Sequence, residues 1–333
     1  MSSFSVPSPM PETELNSAVL AFDVGGTDTK AGLVLAAQPG QIPHIVDIQR
    51  FPTALDAERP GEVLVDFLAE LTGRYRAAHP EVNLNAVGVT VPGLVDETEG
   101  VGVYAANFGW HGFPFRAVLE QRLGVPVAFG HDVSTAGDAE VALGAAQNAH
   151  DVMILVIGTG VAAALYVDGR RLQGGGFAGE VGHALVPLAN GERHIMEAIG
   201  SAGGLTRRYR ALHTDFTGGA REVLAAMQAG DDQARVLWAD AVDAIAFSIS
   251  QAVAFMGTTR VVIGGGLAEA GEALFEPLRA RIDELLTFQP RPEVVKASLG
   301  QDAGLIGSAM KAQQRHSKHS HVQRQAQALE AQP

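Results

Sequence analysis

The sequence predicts an α/β protein of two domains built on one plan. Apolar β-rich runs alternate with stretches whose apolar residues recur at helical spacing. A strand–glycine turn–strand pattern occurs twice, at Ala18–Ala36 and Asp151–Arg170, about half a chain apart. A chain of 333 residues also exceeds what one ordinary hydrophobic core organises.

The elements follow in order. "AVLAFDVGGTDTKAGLVLA" is strand, turn, strand. "GEVLVDFLAELTGRYRAA" sets Val63, Val65, Phe67, Leu68 and Leu71 at helical spacing. "NAVGVTVPG" is a strand ended by Pro92 and Gly93, "FRAVLEQRLG" a helix closed by Gly124, and "VPVAFG" a strand. "DVSTAGDAEVALGAA" is Ala-rich and helical. After the second strand–turn–strand come long helical segments, including "ARVLWADAVDAIAFSISQAVAFMG". "TRVVIGGGLAEAGEALFEPLRARI" is strand, turn, helix, and "DAGLIGSAMKAQQR" closes the ordered part. The Gln- and His-rich end reads as a solvated tail, with His316, His319 and His321 as weak metal candidates at most.

Composition narrows the function. Hydrophobic residues make up 47% and charged residues 18%, as in a globular chain with a large core. The net charge of −13 lacks the basic footprint of a nucleic-acid binder. The absence of cysteine excludes disulfides and thiolate metal sites. No run of about 18 apolar residues is evident, and the polar, Pro-rich start has no secretory core. These features predict a soluble cytoplasmic protein with no membrane partner.

Three glycine turns carry the chemistry. In "DVGGTDTK", glycines after a strand let backbone N–H groups approach a phosphate, Asp23 can orient Mg²⁺-bound water, and Thr27 offers a hydroxyl. Adjacent glycines alone would also suit an ordinary hairpin; the acid before them and the hydroxyl after them favour phosphate. The second turn, Gly158–Gly160, fits G-x-G-x-x-A with Ala163. The residues that follow, "VAAALYVDGR", read as a strand and not the helix a dinucleotide fingerprint requires. The third turn, Gly264–Gly266, opens a helix and can contact a nucleotide. A P-loop sequence is absent.

"FDVGGTDTKAGLV", "VGVTVPGLVD", "AANFGW", "HDVSTAGDAEVALGAA", "VIGTGVAAALYVDG", "GEVGH" and "VVIGGGL" occur in the order found in the ROK family of sugar kinases and related repressors. The resemblance covers residues 18–312 and is greatest to its actinobacterial-type glucokinases. It implies the actin/hexokinase-like ATPase fold, with two α/β domains around a cleft that closes on sugar. The smaller domain would hold residues 18–133 plus 302–315 and the larger 134–301, with flexible tails at 1–17 and 316–333. It further implies ATP with Mg²⁺, a homodimer or homotetramer, and phosphorylation of glucose at its 6-hydroxyl. Asp23, Gly25, Gly26 and Thr27 match the first phosphate motif, Gly158, Thr159 and Gly160 the second, and Gly264, Gly265 and Gly266 the adenosine-side turn. Asp132 matches the general base. Asn107, Glu180, His183 and Glu197 match sugar-site residues. Where family kinases usually carry a sugar-binding Asn before the base, this chain has His131, which is expected to face the sugar or to pack at the strand–helix junction.

Many ROK proteins hold a structural zinc with the "ExGH" histidine and three cysteines. Here "LANGERHIME" replaces the cysteine stretch, so the resemblance implies no structural zinc. Glu180 and His183 then read as sugar ligands or as the ties of a turn, and His194 as an exposed side chain. The alternatives are a kinase for mannose, fructose or N-acetylmannosamine, polyphosphate as donor, or a catalytically silent sugar sensor. A repressor would need a helix-turn-helix before the first strand, where only about 17 residues stand.

Overall fold

The computed structural model describes residues 17–35, 40–188 and 190–330. They form two compact units, Met1–Ala136 with Gly304–Pro333, and Gly137–Ala303.

The first unit is built on a sheet of β1 (Ser17–Val24), β2 (Asp28–Leu35), β3 (Ile45–Pro52), β4 (Asn83–Val91) and β8 (Val127–His131), in the order β3-β2-β1-β4-β8. β1 pairs antiparallel with β2 and parallel with β4, which pairs parallel with β8. Alternation along the strands supplies two apolar faces. Leu20, Phe22, Val87, Val89 and Phe129 pack against Leu64, Leu68 and Leu71 of α1 (Pro60–Ala78) and Phe115 and Leu119 of α2 (Phe115–Leu123). Val19, Ala21, Ala86 and Ala128 pack against Leu305, Ala309 and Ala312 of α9 (Ala303–Glu330). Three short strands, β5 (Leu94–Asp96), β6 (Val101–Tyr104) and β7 (His111–Phe113), form a separate sheet.

The second unit repeats the plan. Its sheet has the order β11-β10-β9-β14-β15, formed by β9 (Val152–Ile157), β10 (Val161–Val167), β11 (Arg170–Arg171), β14 (Arg260–Gly264) and β15 (Glu293–Lys296). β9 pairs antiparallel with β10 and parallel with β14, as β1 does with β2 and β4. Met153, Leu155, Val261 and Ile263 face Trp238, Ile245 and Ile249 of α7 (Asp232–Met256) and Leu274 and Phe275 of α8 (Glu272–Leu285). Val152, Ile154, Tyr166 and Val262 face Val141, Ala145 and Ala146, in and just after α3 (Asp132–Leu143). The duplication expected from the two strand–turn–strand segments is therefore one of strand order and sense. The hairpin β12 (Leu185–Pro187) with β13 (Arg193–Ile195) and helices α4 (Met196–Gly200), α5 (Ala202–Leu212) and α6 (Ala220–Gln228) complete this unit.

The structure corrects one expectation. The last helix does not end near Arg315 but runs to Glu330. Residues 309–332 contain neither Gly nor Pro and are rich in Gln, Lys, Arg and Ala, so nothing in them stops a helix. Residues 1–16 and 331–333 of the expected tails lie outside the described residues. Helix α7 is long and apolar enough by composition to cross a membrane. Its most apolar stretch is 67% buried in the second unit, so it is a core helix. It is capped by Asp231, whose carboxylate accepts from Gln233 N and Ala234 N, and by left-handed Gly257.

Candidate active site

In the first unit the parallel strands deliver polar groups to their carboxyl ends, the usual ligand edge of such sheets. Strand register sets Asp23 of β1 opposite Lys30 of β2 and Thr90 of β4. Thr90 Oγ1 donates to Asp23 Oδ1 at 3.1 Å. A methyl group on Gly304 would lie 2.5 Å from Asp23 Oδ2, so the start of α9 approaches the carboxylate as only glycine allows. Asp23 keeps part of its surface accessible, but the packed groups around it strip its water. Burial first, and then the nearby Asp132 charge, push its pKa up to about 6 against the opposing pull of Thr90, Lys30 and Arg50.

The first glycine turn joins β1 to β2. Gly25 N donates to Asp28 O at 2.9 Å, and Thr53 ties the turn through Thr53 N to Thr27 O and Thr53 Oγ1 to Gly25 O. Thr27 is exposed, and the Cβ position of Gly26 opens on free space, leaving its backbone approachable.

Asp132 is the first residue of α3, directly after β8. Its Oδ1 accepts from Val133 N at 2.7 Å and lies 3.1 Å from His131 Nε2. His131 Nδ1 accepts from Ser134 N at 3.3 Å, and the ring is only 15% exposed. His131 N donates to Glu97 Oε1 at 3.3 Å, and Lys311 Nζ of α9 donates to Glu97 Oε2 at 2.9 Å. His131 Nδ1 thus caps the first turn of α3, while Nε2 stands at ion-pair distance from Asp132. Asn107 sits exposed on the turn between β6 and β7, anchored by the buried rings of Phe108 and Trp110, 4.4 Å apart.

In the second unit, Gly158–Gly160 link β9 to β10, so a strand follows these glycines as the dinucleotide fingerprint forbids. Gly158 N donates to Gly160 O, and Ala202 N donates to Gly158 O, both at 2.9 Å. Val161 N donates to Glu197 Oε2 at 3.1 Å, and a Cβ on Gly160 would stand 2.5 Å from that oxygen. Glu197, expected at the sugar, is therefore also a strut of the second turn. Thr159 is exposed, and the Cβ position of Gly158 is open. In the third turn, Gly264 ends β14 and Gly265 has φ +82°, where a Cβ would meet Ile157 O at 2.4 Å. A 3₁₀ turn, Gly266–Ala270, precedes α8.

Glu180 and His183 flank the 3₁₀ turn Val181–His183. Their nearest charged atoms are 3.6 Å apart, and the His183 side chain is 70% exposed. The flanking glycines have a packing reason: a Cβ on Gly179 would lie 1.9 Å from Ala163 O, and one on Gly182 would lie 2.3 Å from Val161 O. The loop lies flat on β10 and brings Gly182 beside Glu197. His194 pairs with Glu192 at 3.3 Å and lines a cavity of about 510 Å³ with Arg208, Asp240 and Val236, and none of the predicted sugar or nucleotide residues lines it. Among the described residues, no three His, Asp or Glu side chains converge to hold a metal.

The structure thus joins Asp23, the first turn, His131 and Asp132 in one unit, and the second and third turns with Glu197 and the Glu180 loop in the other. Thr90, Glu97, Lys311 and Gly304 were not anticipated. Thr90 stood within the quoted "VGVTVPG", but Glu97 and Lys311 are 214 residues apart and carried no local signal.

Two α/β units of one topology, each with a glycine turn between its first two strands, define the actin/hexokinase-like class of ATPase fold. The ROK family model matches residues 19–315, and the chain belongs to the ROK family. It is 29% identical to a glucokinase of Halalkalibacterium halodurans, over 86% of this chain and 92% of that one. It is 30% identical to an N-acetylmannosamine kinase of Salmonella typhi, over 88% and 98%. The solved ROK hexokinase of Thermus thermophilus superposes with a TM-score of 0.73 at 29% identity, over 90% and 99%.

Proposed function

We propose that the chain is a cytoplasmic, ATP-dependent sugar kinase that phosphorylates glucose at its 6-hydroxyl, with Asp132 as general base. The observation that carries the reading is the pair of carboxylates in the first unit: Asp132 at the start of α3 and Asp23 beside the first glycine turn, close enough that the Asp132 charge helps push the Asp23 carboxyl up. Phosphoryl transfer needs positioning and neutralisation of charge more than covalent help. A carboxylate at the acceptor hydroxyl takes its proton as the oxygen attacks the terminal phosphorus. The open glycine backbones at Gly26, Gly158 and Gly266 suit phosphate approach. Mg²⁺ arrives with ATP as part of the substrate, and Asp23 with the Thr27 hydroxyl fits its hydrated shell and supplies negative charge there. Asn107, Glu180, His183 and Glu197 supply sugar-hydroxyl partners. The burial of α7 and the kinase relatives support a soluble enzyme, and the working unit is a homodimer or homotetramer.

Full-length similarity to both a glucokinase and an N-acetylmannosamine kinase keeps the N-acetylated sugar as the second acceptor to test. The experiment is a coupled assay over glucose, mannose, fructose and N-acetylmannosamine with ATP and with polyphosphate. The expected result is the highest kcat/KM for glucose with ATP. A higher value for N-acetylmannosamine overturns the acceptor, activity with polyphosphate alone overturns the donor, and no turnover on any sugar overturns the kinase reading.

A further inference from the structure

We propose that Arg207 is the cation of the second glycine turn and binds a phosphate of the nucleotide there. This rests on the reading of that turn as a phosphate contact. Every residue assigned to the second and third turns, Gly158, Thr159, Gly160 and Gly264–Gly266, is uncharged. Glu197, which props the second turn through Val161 N, adds a negative charge to it. A triphosphate carries several negative charges, and the chain as a whole has a net charge of −13. Open glycine backbones let phosphate approach, but a cation is needed to offset its charge.

The start of α5 supplies one. Ser201 caps the helix by accepting from Gly204 N at 2.8 Å, and Ala202 N donates to Gly158 O at 2.9 Å, so the helix begins against the turn. Gly203 permits the approach, because a Cβ there would lie 2.4 Å from Thr159 O. The same Cβ position lies 3.2 Å from Arg207 Nη1. Arg207 stands one turn further along α5, and the side chains of a helix lean toward its N-terminus. Its guanidinium is therefore laid back over Gly203, where it and the Thr159 carbonyl flank one point. The positive end of the helix dipole lies on the same side. The other arginines of "TRRYR" are used otherwise: Arg208 pairs with Asp240, and Arg210 donates to Phe216 O and Gly218 O. Arg207 is exposed and has no hydrogen bond or ion pair among the described residues. A guanidinium with its fork of donors unused, standing at a glycine turn, suits bidentate recognition of phosphate.

Arg207→Met keeps an apolar stem and removes the charge, and Arg207→Lys keeps the charge without the fork. Calorimetry with ATP, ADP and adenosine, with Mg²⁺ and without sugar, reads the contact apart from turnover. The expected result for Arg207→Met is an unchanged melting temperature, ATP and ADP bound about tenfold more weakly, the scale of one hydrogen bond to a charged group, and adenosine bound as before. Arg207→Lys should lose less. In the coupled assay KM for ATP should rise in Arg207→Met while KM for the sugar holds. Unchanged ATP binding in Arg207→Met overturns the proposal. So does an equal loss for ATP and adenosine, which would make Arg207 a support of the pocket and not a phosphate contact. A parent that binds neither ATP nor ADP overturns the donor reading and the proposal together. In a parent that binds both but phosphorylates no sugar, the kinase reading fails while the nucleotide titrations still decide the role of Arg207.

Discussion

Replacing Asp23 with Asn should stabilise the protein at neutral pH while removing its activity. The carboxylate is pushed up to about 6 from an ordinary value of 3.8, by burial first and by Asp132 second. The folded state therefore binds this proton more tightly than the unfolded state does. Between about pH 4 and 6 the folded state retains a proton that the unfolded chain has released, so this group's contribution to stability falls as pH rises through that window and levels off above it. The difference of about 2.2 pKa units at 1.36 kcal/mol each corresponds to about 3 kcal/mol by pH 7.5. Asparagine has nearly the same shape, keeps an oxygen for Thr90 Oγ1, and carries no charge to desolvate. Urea unfolding of both proteins without nucleotide, at pH 4 and pH 7.5, measures the effect. Asp23→Asn should be more stable at pH 7.5 by up to about 3 kcal/mol and nearly equal to the parent at pH 4. Its phosphorylation rate should fall by on the order of 10²-fold or more. A variant less stable at pH 7.5, or one whose advantage does not change with pH, would refute the desolvation argument.

Three other outcomes are expected. Glu140, fully buried in α3, accepts from Ala145 N and Leu299 N at 2.8 Å and from Ser298 N at 3.3 Å; Glu140→Ala strands those donors and should cost about 2–5 kcal/mol in urea unfolding. Gly304→Ala sets a methyl group 2.5 Å from Asp23 Oδ2 and should cost about 1–3 kcal/mol, read as a lower urea midpoint. Elemental analysis of protein made without a metal-binding tag should find no stoichiometric zinc, because the cysteine ligands of the family's zinc stretch are missing.

Much of the fold was legible because it is written in short-range patterns. Strands β1, β2, β9 and β10 alternate around glycine turns, and α1 and α7 carry apolar residues at helical spacing. The strands β3, β12, β13 and β15 were not legible. β3 is half exposed with charged residues along it, β15 is four residues behind Pro290 and Pro292, and the hairpin strands have three residues each. For the site, residue types were readable but partners were not. Glycines at 179 and 182 suggested a ligand loop, whereas their necessity comes from backbone oxygens of β10 at 1.9 and 2.3 Å. Likewise "HD" announced a carboxylate. That the neighbouring His131 accepts the amide of Ser134 through Nδ1 is set only in the folded turn.

The central claim is that Asp132 takes the proton from the sugar hydroxyl. Its direct test is kcat for glucose in the parent and in Asp132→Asn, with sugar affinity measured by calorimetry on the same samples. General-base loss costs on the order of 10²–10⁴-fold in rate. The account predicts a kcat lower by that factor with glucose still bound at comparable affinity. Near-normal kcat in Asp132→Asn would contradict it.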